Sequence, residues 1–72
     1  MSAKDVQQLR AKLEMSQEEL AHAFGMTGRH AISRWETGER QLGALASRLV
    51  RFLNALPKAE AARIVRKLAD YQ

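Results

Sequence analysis

No stretch of this chain alternates apolar and polar residues at a period of two, which removes β-sheet from the folds open to it. Val and Ile are sparse. Ala, Leu, Glu, Gln, Arg and Lys, the residues that enter a helix most readily, dominate instead. Apolar side chains recur at intervals of three and four, the spacing that lines one face of a helix. The expected fold class is all-α, a compact bundle of five short helices. The 72 residues suffice for one small domain. A chain of this size buries only about 60% of its unfolded surface, so stability is modest and dimerisation would add to it.

Capping signals divide the chain. "SAKD" places Asp5 three residues after Ser2, a capping box for helix one, whose core stripe is Val6, Leu9 and Leu13. "EMS" breaks that helix. "SQEE" supplies a second box, Ser16 with Glu19, and puts Glu18 and Glu19 near the positive end of helix two. Leu20, Ala21 and Phe24 form its inner face, and Gly25 suits a left-handed position just beyond it. Met26 and Thr27 make the turn, with Thr27 the expected cap of a third helix over about residues 28–36 that stops at Gly38. Helix four, roughly 43–55, carries Leu42, Leu45, Ala46, Leu49, Leu53 and Leu56 at helical spacing. Pro57 ends it and fits the first turn of helix five. There Ala61, Ile64, Leu68 and Tyr71 share one stripe with Val65 beside it.

Composition excludes several functions. The chain has no cysteine, so neither a disulfide nor a thiolate zinc site is available. His22 and His30 fall on different helices with no third ligand suggested, so no metal and no cofactor is expected. No nucleophile elbow or glycine-rich phosphate loop occurs, and the chain is read as not an enzyme. No apolar run approaches the ~20 residues that span a bilayer, and no signal-peptide core opens the chain. A cytoplasmic protein is expected.

The net charge of +4 is unevenly placed. Residues 1–40 hold six basic and six acidic side chains, and residues 41–72 hold six basic and two acidic. That excess permits contact with nucleic acid and equally serves solubility.

Helix three has two unlike faces. Gly28, Ile32, Trp35 and Glu36 gather on one side, and His30, Ser33, Arg34 and Thr37 on the other. Trp35 reads as a core anchor packed on helix four, because Ile32 turns their shared side inward. Two short helices joined by a tight glycine-containing turn describe a helix-turn-helix, whose second helix enters the DNA major groove. Arginine can bond guanine O6 and N7 together, and Ser or His can make single bonds to base edges. From the helical wheel alone, base reading and an ordinary polar surface stand level.

The segment "LRAKLEMSQEELAHAFGMTGRHAISRWETGER", residues 9–40, resembles the XRE/Cro-type helix-turn-helix family of phage repressors and bacterial regulators. "SQEELA" followed by "ISRWETGER" carries the likeness, and helices one and four extend it to about residue 56. The resemblance implies a lambda-repressor-like bundle, no catalysis, and binding to a short double-stranded operator, usually as a homodimer. It also implies a place in the bacterial nucleoid or a phage-infected cell. By position, Arg29, His30, Ser33 and Arg34 match residues that face bases. Gln17, Thr27, Gly28, Thr37, Arg40 and Gln41 match residues at or near phosphates, with Gln17 also bracing the recognition helix. Arg10 and Glu36 match an ion pair tying helix one to the end of helix three.

Three departures accompany the match. Six residues separate Gly25 from Ile32 where the commonest pattern has five, so a bulge at Met26–Gly28 bears on the register of Arg29 and His30. Glu14 stands where glycine is common, which argues against a left-handed turn after helix one. Beyond Gln41 the likeness is only generic.

The chain therefore divides into a DNA-binding part, residues 1–56, and a C-terminal helix, residues 57–72. That helix either packs on the bundle or forms a dimer interface through Ile64, Leu68 and Tyr71. Arg48, Arg51, Arg63, Arg66 and Lys67 could flank DNA, cover an interface with their stems, or simply be solvated. The leading expectation is a transcriptional repressor acting on an inverted repeat, with its own promoter as one target. The alternatives are an antitoxin that binds a protein toxin and regulates its operon, and a regulator encoded beside phage anti-defence (anti-CRISPR) genes.

Overall fold

The computed structural model describes residues 3–71, which form five helices. They are α1 (Ala3–Leu13), α2 (Gln17–Ala23), α3 (His30–Thr37), α4 (Ala44–Ala55) and α5 (Lys58–Asp70). The architecture is an all-α bundle. In it α1 packs on α3, α4 and α5, while α2 lies against α3 and α5. Ser2, the expected cap of α1, lies outside the described residues.

Every helix contributes to one core. Val6 and Leu9 of α1, Leu20 of α2, Ile32 of α3, Val50 and Leu53 of α4, and Val65 of α5 are wholly buried. Each large apolar side chain removed from water in this way is worth about 1.5–3 kcal/mol, and here the gain is shared among all five elements. Two helical stripes differ from the sequence reading. On α4 the inner face is Val50 and Leu53, while Leu45, expected inside, is 82% exposed. On α5 the inner face is Ala61 and Val65. Ile64 is half-buried, and Leu68 and Tyr71 are exposed. Spacing identifies apolar residues on a common side of a helix but not which edge of that side meets the bundle.

The turns show why the helices stop where they do. After α2, Gly25 takes φ +74°, so that Met26 N–H donates to the Ala21 carbonyl (2.9 Å) and Gly25 N–H to that of His22 (3.0 Å). This pair of bonds is the Schellman closure, which satisfies carbonyls the helix leaves open. The same pattern closes α1. Met15 N–H reaches the Arg10 carbonyl (3.1 Å), Glu14 N–H reaches that of Ala11 (3.2 Å), and Glu14 takes φ +56°. The expectation that glutamate would prevent a left-handed turn is therefore corrected. The closure sets the backbone, and Glu14 adopts a conformation that glycine would adopt at less cost.

Candidate nucleic-acid interface

The interface begins with what holds α2 and α3 together. Ser16 caps α2 as a complete box, its hydroxyl accepting from Glu19 N–H at 3.1 Å while Glu19 Oε1 accepts from Ser16 N–H at 2.8 Å. That fixes the first residue of α2, Gln17, at the entrance to the helix pair. The connection to α3 occupies residues 24–29, and α3 starts at His30 rather than near residue 28. Thr27 does not cap it. Arg29 occupies the position before the helix in helical conformation (φ −70°, ψ −12°), and no side chain caps this end. Thr27 lies two residues ahead of that position. At the other end Gly38, at φ +78°, terminates the helix as expected.

The inner side of α3 is pinned by Glu36, a carboxylate only 7% exposed. Arg10 grips it with two bonds, Nε to Oε2 at 2.6 Å and Nη2 to Oε1 at 3.1 Å. Gln17 Nε2 donates to Oε1 at 3.0 Å, and Gln7 Nε2 donates to the Glu36 carbonyl oxygen at 3.0 Å. Burial alone would push the Glu36 pKa up. The hydrogen bonds from Arg10 and Gln17, with the Arg10 charge, outweigh it and hold the carboxyl below the ordinary glutamate range. Four side chains from three helices thus set the position of α3. Gln7 was missed in the sequence, although it stands one turn before Arg10 on α1.

With Ile32, Trp35 and Glu36 turned inward, the opposite face of α3 is left to solvent. His30, Arg34 and Thr37 lie on it at i, i+4 and i+7, all exposed, with exposed Arg29 just before the helix. Ser33 lies on the edge toward Glu36 and is half-buried. Thr37 Oγ1 donates to the Arg34 carbonyl at 3.2 Å, so its hydroxyl hydrogen is already committed within the helix. Arg40 N–H donates to the same carbonyl at 3.2 Å, folding the following loop back along α3 and bringing exposed Arg40 and Gln41 to its C-terminal end. At its N-terminal end stand Thr27, exposed, and Gly28, half-buried with open space where a Cβ would be. Of the expected dimer residues, Leu68 and Tyr71 are exposed and Ile64 is half-covered.

Among the described residues no group of His, Asp or Glu is placed to hold a metal ion. None of their helices is long and apolar enough to cross a membrane.

Two short helices at a tight turn, the second clamped from behind and open in front, define a helix-turn-helix domain. A family model described as Helix-turn-helix matches residues 6–60, well over half of the chain. The chain belongs to this family, the XRE-type helix-turn-helix proteins, whose members are DNA-binding transcription regulators and not typically enzymes. No curated protein and no solved structure matches the chain.

Proposed function

We propose that this protein is a cytoplasmic, sequence-specific transcriptional repressor that binds an inverted-repeat operator as a homodimer, with α3 of each copy in the major groove. The observation that carries the reading is the outward face of α3. His30 and Arg34 project from a helix whose other side is anchored by Ile32, Trp35 and the buried Glu36. Arg34 reads a guanine through O6 and N7, the contact its forked guanidinium fits, and His30, Arg29 and Ser33 make single bonds to neighbouring bases. Of these Ser33 has the shortest reach, being half-buried.

Gln17 has two amide hydrogens. One is held by Glu36, and the other is free for a phosphate oxygen. Gly28 offers its backbone N–H and Thr27 its hydroxyl to the backbone at the N-terminal end of α3. Arg40 and Gln41 do the same at the C-terminal end. Thr37 donates to a phosphate only by giving up its bond to the Arg34 carbonyl. Phosphate contacts fix register and base contacts specify, so the two groups of residues have separable effects.

Selection of bound sequences from a random DNA pool tests this reading. The expected product is a palindrome with half-sites about one helical turn, ~34 Å, apart. Affinity should fall steeply with salt, by a log–log slope of about −0.9 for each phosphate neutralised. An unenriched pool, or a complex indifferent to salt, would remove the proposal.

A further inference from the structure

Beside its inner face, α4 carries a second apolar stripe that is exposed at Leu45 and Phe52 and half-buried at Leu49. Leu45, Leu49 and Phe52 follow one another along α4 at spacings of four and three, with Leu56 just past its end, the repeat by which one helix seats against another. This is not the inner face. Val50 and Leu53, about a quarter-turn away, enter the core, while Leu45 is 82% exposed and Phe52 54%. Beside the stripe, an open groove of about 220 Å³ runs between α4 and α5. Phe24, Met26 and Trp35 line it, with Leu45 and Leu49 on the α4 side and Leu68 on the α5 side. Tyr71, 87% exposed, follows one turn beyond Leu68.

We propose that this α4–α5 face is the dimer interface, occupied by a second copy of the chain, with Leu45 and Phe52 of each copy at its centre. The proposal rests on the homodimeric reading above and moves the interface from α5 alone to the groove between the two helices. Two observations favour a second copy as occupant. An exposed knob (Leu45) adjoins a hole lined by apolar side chains, and a two-fold interface needs both on one surface, since each copy's knob meets the other's hole. No charged residue lines the groove, so a partner recognised through its own charges finds no fixed counter-charge there.

The area also suits. At about 200 Å² for a fully exposed aromatic ring, Phe52 and Tyr71 alone present about 280 Å². With Leu45 and Leu68 the apolar surface reaches roughly 400 Å² per copy, an adequate centre for the ~800 Å² per partner of a standard interface. That is the size of the largest apolar patch on an ordinary small protein, about 300–600 Å², which is often a functional surface.

The double variant Leu45→Gln/Phe52→Gln tests the proposal without touching the core or the α3 face. Sedimentation equilibrium without DNA should show a wild-type dimer and a variant whose dimer dissociation constant is raised about 100-fold or more. Affinity for a single half-site should be unchanged, and cooperativity on the full palindrome should be lost. The melting curve of the variant monomer controls for folding. A wild-type dimer that the double substitution leaves intact would place the interface elsewhere and overturn this inference while keeping the dimeric reading. That is also the result expected if the face receives a different protein. A wild type that is monomeric at every concentration and fills the two half-sites independently would overturn both.

Discussion

Replacing Arg10 by methionine isolates the contact that joins α1 to the recognition helix. Methionine keeps the length of the aliphatic stem and removes both bonds to Glu36, leaving a carboxylate that is 7% exposed with one side-chain donor, Gln17. Removing one partner of a fully buried pair costs about 3–5 kcal/mol. The Arg10 side chain is 31% exposed, so water partly replaces the guanidinium, and about 2–3 kcal/mol is the expected loss here. A 72-residue domain has about 4–10 kcal/mol in total, so the variant should melt at least ~8 °C lower.

The pH dependence gives this substitution its signature. In the wild type the Glu36 pKa is lowered by folding, so its contribution is present above the unfolded glutamate pKa. It is lost as pH falls through the folded value. In Arg10→Met, burial is no longer outweighed and the folded pKa rises, so the penalty is full at neutral pH and relieved as Glu36 takes up a proton. Urea unfolding at pH 7, 5.5 and 4 should show the two proteins converging toward acid. A stability difference under 0.5 kcal/mol, or one constant across that range, would refute the account of Glu36 as a charge held in place by Arg10.

Other substitutions separate the remaining parts. Lys12 Nζ donates to the carbonyls of Leu53 (3.3 Å), Asn54 (2.9 Å) and Leu56, a cation at the C-terminal end of α4. Lys12→Met should cost about 1–2 kcal/mol in chemical denaturation. Glu14→Gly should raise the melting temperature, because relief of the left-handed backbone at φ +56° exceeds the loss of an exposed ion pair with Lys58; a lower one would contradict this. Gln17→Ala should weaken binding to the selected operator and to scrambled DNA by the same factor in fluorescence anisotropy, the mark of a phosphate contact.

What could be read in the sequence was what short spacing encodes. The Ser16 box, the left-handed Gly25, the stop at Gly38, and the inward side of α3 at Ile32 and Trp35 depend on residues within four positions of one another. The start of α3 escaped because threonine is by residue type the better cap, while the helix begins two residues later behind Arg29 with no side chain capping it. Burial on α4 and α5 escaped for another reason. Leucines outnumber the places the core has for them, so Val50 and Val65 lie inside while Leu45 and Leu68 lie outside. The long-range polar contacts left no local trace. Lys12 meets carbonyls more than forty residues away, and Asn54 Nδ2 reaches the Asp5 carbonyl at 3.0 Å across a comparable span. As for the candidate site, its outward residues were legible as a face. That Thr37 spends its hydroxyl hydrogen within α3 and that Ser33 is half-covered depends on packing that no local pattern records.

The central claim is that the outer face of α3 reads bases. It is tested most directly by the affinities of wild type and Arg34→Ala for the selected operator and for scrambled DNA of equal length, at one salt concentration. The account predicts a loss of about 1–3 kcal/mol on the operator, little change on scrambled DNA, and relaxed preference at one base pair in each half-site. An equal loss on both DNAs would make Arg34 a phosphate contact, and no loss on either would take α3 out of the groove.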